Sequence, residues 1–275
     1  MNMKESFAQI IEDLHSAKPV LHHITNYVTA RDCADAALAM GASPIMADNA
    51  EEIAEVIAAS GALVLNLGTI SEARMEAMEL AVGTAKEAGI PVVLDPVGVM
   101  SSSLRLEFAL RLLQAGYITI VRGNCGECKA LLEQEADGRG VDSIQTPDQG
   151  EALKTIKDAA QQYQCIFAMT GAVDYISDGK RALMINGGNP LMTRITGGGC
   201  MTTTVVAACA AVAEDKFAGA MLGLIIMGQA EELAAGLLEK KDGPGMFKVR
   251  LLDSIYHVVT KWNLIMDNLH PEKAN

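Results

Sequence analysis

Six short runs of branched aliphatic residues recur along the chain with a helical pattern between successive runs, and this alternation constrains the fold more than any other feature. Val20-Leu21-His22-His23-Ile24, Pro44-Ile45-Met46, Ala62-Leu63-Val64-Leu65-Asn66, Val92-Val93-Leu94-Asp95, Tyr117-Ile118-Thr119-Ile120-Val121 and Cys165-Ile166-Phe167-Ala168-Met169 lack the alternation of a strand with one wet face. They read as buried parallel strands. Helical patterns cover residues 30–40, 50–59, 71–88, 103–115, 126–135 and 148–163. Strand and helix in alternation predict an α/β fold: a doubly wound, mainly parallel sheet with helices on both faces. Residues 173–177 and 181–185 flank Asp178-Gly179-Lys180, a hairpin signal that adds an antiparallel edge. The remainder reads as helix over 199–213, 217–239 and 247–269, the last two parted by Gly243-Pro244-Gly245. No linker, repeat or low-complexity segment interrupts this pattern, so residues 1–275 are expected to form a single domain.

The net charge of −12 argues against a nucleic-acid partner or an anionic membrane surface, because both require a basic footprint. An anionic substrate would need local help from arginine, a metal ion or helix N-termini. Lys4, Glu5, Glu12 and Asp13 interrupt the start of the chain, which therefore does not read as a signal peptide. The apolar stretches 205–213 and 217–228, separated by Glu214, Asp215 and Lys216, each read as too short to span a bilayer. With no secretory signal, the six cysteines are expected to be reduced thiols of a cytoplasmic protein. Cys125 and Cys128 form a lone C-x-x-C without the further ligands that zinc needs. His22 and His23 are adjacent on a strand, point to opposite faces and are poorly placed to share a metal.

Chemistry concentrates in Ile195-Thr196-Gly197-Gly198-Gly199-Cys200-Met201-Thr202-Thr203-Thr204. Three glycines at the start of a helix leave consecutive N–H groups free to close around a phosphate or oxyanion. Cys200 then sits in the first turn, where the helix dipole is expected to lower its pKa. This arrangement suits phosphoryl transfer to a small alcohol, although a flexible turn would have the same composition. The chain contains no G-x-x-x-x-G-K-[ST], and its glycine run lacks the last glycine of G-x-G-x-x-G, which disfavours a dehydrogenase.

A doubly wound sheet binds ligands at the carboxyl ends of its strands. Asn66-Leu67-Gly68-Thr69, Asp95-Pro96-Val97-Gly98, Arg122-Gly123-Asn124 and Thr170-Gly171 all fall there. Asp95 and Glu127, with Asn124 nearby, suit Mg2+, which takes oxygen ligands and bridges phosphates. A turn-forming role for Asp95 and a helix-dipole role for Glu127 are equally compatible with the residues alone.

Taken together, these segments resemble the hydroxyethylthiazole kinase family of the ribokinase-like superfamily. The resemblance also draws on His23-Ile24-Thr25-Asn26-Tyr27-Val28 and Gly41-Ala42-Ser43-Pro44-Ile45-Met46, and spans essentially the full length. Its sharpest mark is Cys200, where most superfamily relatives carry aspartate. The resemblance implies a ribokinase-like fold and phosphorylation of the hydroxyethyl group of 4-methyl-5-(2-hydroxyethyl)thiazole by ATP and Mg2+, in thiamine salvage. It further implies a homotrimer with the thiazole site near subunit interfaces. By motif, Met46 would touch the thiazole with Asn26, Gly68 and Gly197 nearby, while Arg122 and Thr170 would contact ATP. Asp95 and Glu127 would organise Mg2+, and Gly197, Gly198, Gly199 and Cys200 would form the catalytic anion hole and acceptor end. Two departures stand out: Gly198 replaces the usual Thr, Ala or Ser, which predicts a looser loop, and Met100 puts a bulkier group near the magnesium loop. The alternatives are a kinase for another small alcohol, such as a hydroxymethylpyrimidine, and a non-catalytic thiazole-binding protein.

Overall fold

A computed structural model describes residues 3–135 and 148–262. In chain order the strands are β1 Val20–Ile24, β2 Ser43–Met46, β3 Ala62–Asn66, β4 Val92–Asp95, β5 Ile120–Asn124, β6 Ile166–Thr170, β7 Asp174–Ser177 and β8 Ala182–Ile185. They form one sheet of spatial order β2-β1-β3-β4-β5-β6-β7-β8. Pairings from β2 through β6 are parallel, and β7 and β8 add the expected antiparallel edge. The helices are α1 Met3–Ala17, α2 Ala30–Ala39, α3 Ile53–Ala58, α4 Glu72–Ala88, α5 Ser103–Gln114, α6 Cys125–Glu133, α7 Gln149–Tyr163, α8 Gly198–Val212, α9 Lys216–Gly236 and α10 Pro244–Thr260.

Strand alternation divides the core into two layers. In β3, Ala62 and Val64 face the layer built with α1, α2, α8, α9 and α10, whereas Leu63 and Leu65 face the layer built with α3 to α7. All five residues of β3 are buried, as expected of a strand covered on both faces. The edge strand β2 is the exception to the expected burial, because Ser43 and Met46 are exposed where no further strand covers them.

Several boundaries differ from the sequence reading. The amphipathic helix α1, which buries Phe7, Ile10, Ile11 and Leu14, was not anticipated. Strand β5 starts at Ile120 and runs on through Asn124, carrying Arg122 and Asn124 inside the ladder. The part of the last helix expected to reach residue 269 lies outside the described residues.

The apolar stretch after residue 216 belongs to a helix of 21 residues, long and apolar enough to cross a membrane, which corrects the expectation that it is too short. Its most apolar window is 72% buried inside the fold, so α9 serves as a core helix. Glycines set how closely it approaches α8. A Cβ at Gly223 would lie 2.6 Å from Val206 Cα, and one at Gly219 would lie 2.8 Å from Ala213 Cβ. Backbone atoms cannot yield there as the end of a flexible side chain would. Gly223→Ala is therefore expected to destabilise the fold by about 1–3 kcal/mol through overpacking. At Gly83, within α4, a Cβ meets nothing within 4 Å. Gly83→Ala should instead stabilise by roughly 0.5–1 kcal/mol, through helix propensity. Urea unfolding of both variants checks the pair, and equal shifts would refute the close-approach account.

Candidate active site

Each loop that leaves the parallel strands emerges at one edge of the sheet, and α8 presents its N-terminus to the same edge. Gly197 caps this helix with φ +90°, and a Cβ there would lie 2.9 Å from Asp32 Oδ2. Both the backbone conformation and the space therefore demand glycine. Lys248 donates from α10 to Asp32 Oδ2 at 2.7 Å and to Thr196 O at 3.0 Å, pinning the loop entry. A Cβ at Gly199 would meet Arg122 Nη1 at 2.5 Å, so the bare backbone lets the guanidinium lie against the loop. At Gly198 a Cβ would lie 2.8 Å from Cε at the flexible end of Met192.

Asn66, at the end of β3, connects the groups of the cleft. Its Nδ2 donates to Asp95 Oδ2 at 2.9 Å and to Cys200 Sγ at 3.2 Å. Its Oδ1 accepts from Asn26 Nδ2 and from Gly68 N, each at 2.9 Å. A Cβ at Gly68 would lie 2.9 Å from Asn26 Cβ, so this glycine permits the approach of two loops. Asp95 is fully buried and also accepts from Thr203 Oγ1 at 2.8 Å, while Arg122 Nη1 lies 4.0 Å away. Arg122 Nη2 donates to Thr170 Oγ1 across neighbouring strands. Met46 stands apart from this network, 39% exposed at the end of β2 beside His23.

Glu127 caps the helix that it opens. Its Oε2 accepts from Asn124 N at 2.8 Å while Asn124 Oδ1 accepts from Glu127 N at 2.9 Å, a reciprocal capping box at the start of α6. Its Oε1 accepts from Gly98 N at 3.2 Å, which ties the loop after β4 to α6. Burial, followed by repulsion from Asp95, pushes its pKa up to about 7. Asp95 is likewise raised above its ordinary value by burial, against the opposing influence of Arg122. Cys200 reverses the expected direction: burial first, and then the Asp95 charge, drive its thiol up to about 11. Desolvation and the neighbouring carboxylate therefore set the direction of the shift there.

The remaining sequence candidates separate clearly. Met100, two residues beyond Gly98, buries its side chain in the layer of α3 to α7. His22 Nε2 pairs with Ala47 O at 2.8 Å and His23 Nε2 with Thr204 Oγ1 at 3.2 Å, so the two rings have separate partners. Among the described residues, no group of three or more His, Cys, Asp or Glu side chains is arranged to hold a metal by itself. Cys125 and Cys128 fall under the same finding.

Sequence reasoning overlooked several groups that shape the site. Arg105 donates to Gly68 O at 2.7 Å and Val97 O at 3.4 Å, bracing two loops of the edge. Arg74 does the same for Thr69 and Asp48. Nothing local marks these arginines, but the run of threonines after Cys200 did offer a signal for Thr203. Asp174 and Glu231 also act electrostatically with Arg122, and burial pushes them up to about 7 and about 8.

The strand order and antiparallel edge, with a glycine loop opening a late helix, define an α/β protein of the ribokinase-like class. A ribokinase-like superfamily protein from Enterococcus faecalis shares this fold at TM-score 0.64 and 10% identity, over 90% of this chain and 89% of that one. The chain belongs to the hydroxyethylthiazole kinase family, whose model matches residues 11–261. A hydroxyethylthiazole kinase of Alkaliphilus metalliredigens is 42% identical over 254 residues, 92% of this chain and 93% of that protein. The structure of the hydroxyethylthiazole kinase protein from Pyrococcus horikoshii OT3 superposes with TM-score 0.87 at 34% identity, over 98% of this chain and 100% of that one.

Glu231 offers a test of the electrostatics around Arg122. It accepts from Asn189 N at 2.8 Å, and its raised pKa means that the folded chain holds a proton which the unfolded chain has already released. Stability from this group is thus complete below the ordinary carboxylate range and is lost as pH rises through about 8. Glu231→Gln keeps the acceptor and removes the titration. It should raise the melting temperature above pH ~8 and leave it nearly unchanged near pH ~4. Parallel melting curves for parent and variant across this range would refute the assignment.

Proposed function

We propose that this chain transfers the γ-phosphoryl group of ATP to the hydroxyl of 4-methyl-5-(2-hydroxyethyl)thiazole, in thiamine salvage, with Mg2+ as cofactor. On this reading residues 1–275 form one kinase domain that works in the cytoplasm. The observation that carries the proposal is the Gly197–Cys200 loop at the start of α8, facing Arg122 and Asp95 across one cleft. Its backbone N–H groups would receive the transferring phosphoryl oxygens. Arg122, held by Thr170, would bind nucleotide phosphate. Asn26, Gly68 and Gly197 would border the thiazole, with Met46 against its ring.

The residues present fit a magnesium ion held largely by the nucleotide and water. Asp95 Oδ1 is buried and has no hydrogen-bond partner among the described residues, which leaves a hard oxygen donor available. Glu127 supports it differently: both of its oxygens accept backbone N–H groups, so it braces the loop after β4 and the start of α6 around Asp95. When bound, the ion would neutralise phosphate charge. On this reading the chain forms a homotrimer; apolar side chains left exposed around the β1–β2 edge, namely Tyr27, Val28, Leu38 and Met46, support self-association there.

A panel of thiazole and pyrimidine alcohols assayed for Mg2+-dependent ADP release tests the activity. The thiazole alcohol should be the preferred acceptor. Preference for a pyrimidine alcohol would reassign the substrate, and tight thiazole binding without turnover would favour the non-catalytic alternative.

Cys200 is protonated at neutral pH in this environment, since its pKa lies at about 11. It would position the acceptor hydroxyl and would not serve as a strong base. Cys200→Ala should therefore lose less than the ~10²–10⁴-fold in kcat that a general base supplies. Complete loss of turnover with both substrates still bound would overturn that role.

A further inference from the structure

Asn66 has every hydrogen-bonding valence of its carboxamide engaged. The two Nδ2 protons go to Asp95 Oδ2 and Cys200 Sγ, and the Oδ1 lone pairs accept from Asn26 Nδ2 and Gly68 N. These partners also fix the amide orientation. A flipped group would set its oxygen against the Asp95 carboxylate and its N–H against the Gly68 N–H, turning two bonds into repulsive contacts. With 3% exposure the side chain is almost closed to solvent, so it acts through the groups it holds and not by broad contact with substrate.

The consequences for Cys200 follow from sulfur's position as an acceptor. Asn66 Nδ2 approaches Sγ at 3.2 Å, so the thiol proton is turned away from that amide; the two protons of Asn26 Nδ2 go to Thr29 Oγ1 at 2.8 Å and Asn66 Oδ1 at 2.9 Å, which leaves Asn66 as the amide donor to the sulfur. The same Nδ2 group holds Asp95 Oδ2, leaving Asp95 Oδ1 as the oxygen without a partner among the described residues. One carboxamide therefore aligns the thiol and the carboxylate that flank the start of α8.

We propose that Asn66 is a positioning residue for phosphoryl transfer, setting the rotation of the Cys200 thiol and the orientation of the Asp95 carboxylate. The proposal deepens the kinase reading above and rests on it for the reaction being positioned. Asn66 belongs to no ligand contact in that reading. Its removal should therefore affect the aligned reaction more than the binding of either substrate.

The test uses Asn66→Asp, which keeps the shape and replaces the donor edge with an acceptor, in the parent and in a Cys200→Ala background. In the parent background kcat should fall by about 10²-fold, with both KM values changing less than about threefold. In the Cys200→Ala background the same substitution should cost at least about fivefold less, because part of its action has already been removed. A second readout needs no turnover: the infrared S–H stretch of Cys200, isolated by difference against Cys200→Ala, should move in Asn66→Asp. If Asn66→Asp does not fold, Asn66→Ser, whose single hydroxyl cannot serve both acceptors, takes its place in both measurements. An unmoved S–H band, or equal kcat losses in the two backgrounds, overturns the proposal. Should the parent fail to phosphorylate the thiazole alcohol, the kinase reading falls, and the S–H band alone then decides whether Asn66 orients the thiol.

Discussion

Helix α8 is buried on nearly every side, and its placement governs both the core and the cleft. Eleven of its fifteen residues are buried, so its sequence carries no polar stripe and it packs between the sheet and α9, with α1 and α2 beside it. Such a helix has little freedom to slide. Gly219 and Gly223 of α9 allow close backbone approach, and larger residues there would displace the helix that bears the glycine loop. At its other end, Asp32 and Lys248 pin the residues leading into Gly197. The position of the helix N-terminus is thus supplied by packing, while its three glycines present only backbone amides.

The cleft is electrostatically unusual for a protein of net charge −12. Asp95 and Glu127 are buried close enough to repel one another, and both have raised pKa values. Asp174 and Glu231 add two more carboxyls in the reach of Arg122. Fully ionised, these carboxyls would disfavour a polyphosphate; their raised pKa values suppress part of that charge, and a cation accompanying the nucleotide would offset more of it. Fixed N–H donors from Asn66, Asn124 and Gly98 meanwhile stabilise the carboxylates without adding mobile charge.

Most of the scaffold was legible because its strands are covered on both faces and therefore appear as unbroken aliphatic runs, as Ala62 to Asn66 does. Helix α1 precedes the first strand and so falls outside the strand–helix alternation, although Phe7, Ile10, Ile11 and Leu14 lie at helical spacing. The ends of β3 to β6 were recognisable by their polar and glycine residues, yet the bonds among them were not. Asn66 and Cys200 are 134 residues apart, and Arg105 reaches Gly68 over 37, so no local pattern announces either contact. For Cys200 the sequence exposed the helix N-terminus but concealed the burial and the Asp95 charge that reverse the shift. Glu127 was legible as a carboxylate at a helix start, while its capping geometry required coordinates.

A protonated thiol at the acceptor end is consistent with phosphoryl transfer for a reason that lies in the reaction. When bond breaking to the leaving group runs ahead of bond making, little charge builds on the attacking hydroxyl, and removing its proton early gains little. Alignment and neutralisation of phosphate charge then dominate the barrier. In that setting a thiol held by an amide N–H offers shape and direction with less repulsion toward phosphate than an ionised carboxylate would bring. The nearby Asp95 reinforces this: a second negative group at position 200 would lie beside a carboxylate that is already fully buried. The thiol's high pKa is therefore compatible with function on this reading, because the cleft relies on Cys200 for placement and on the loop amides, Arg122 and a metal ion for charge.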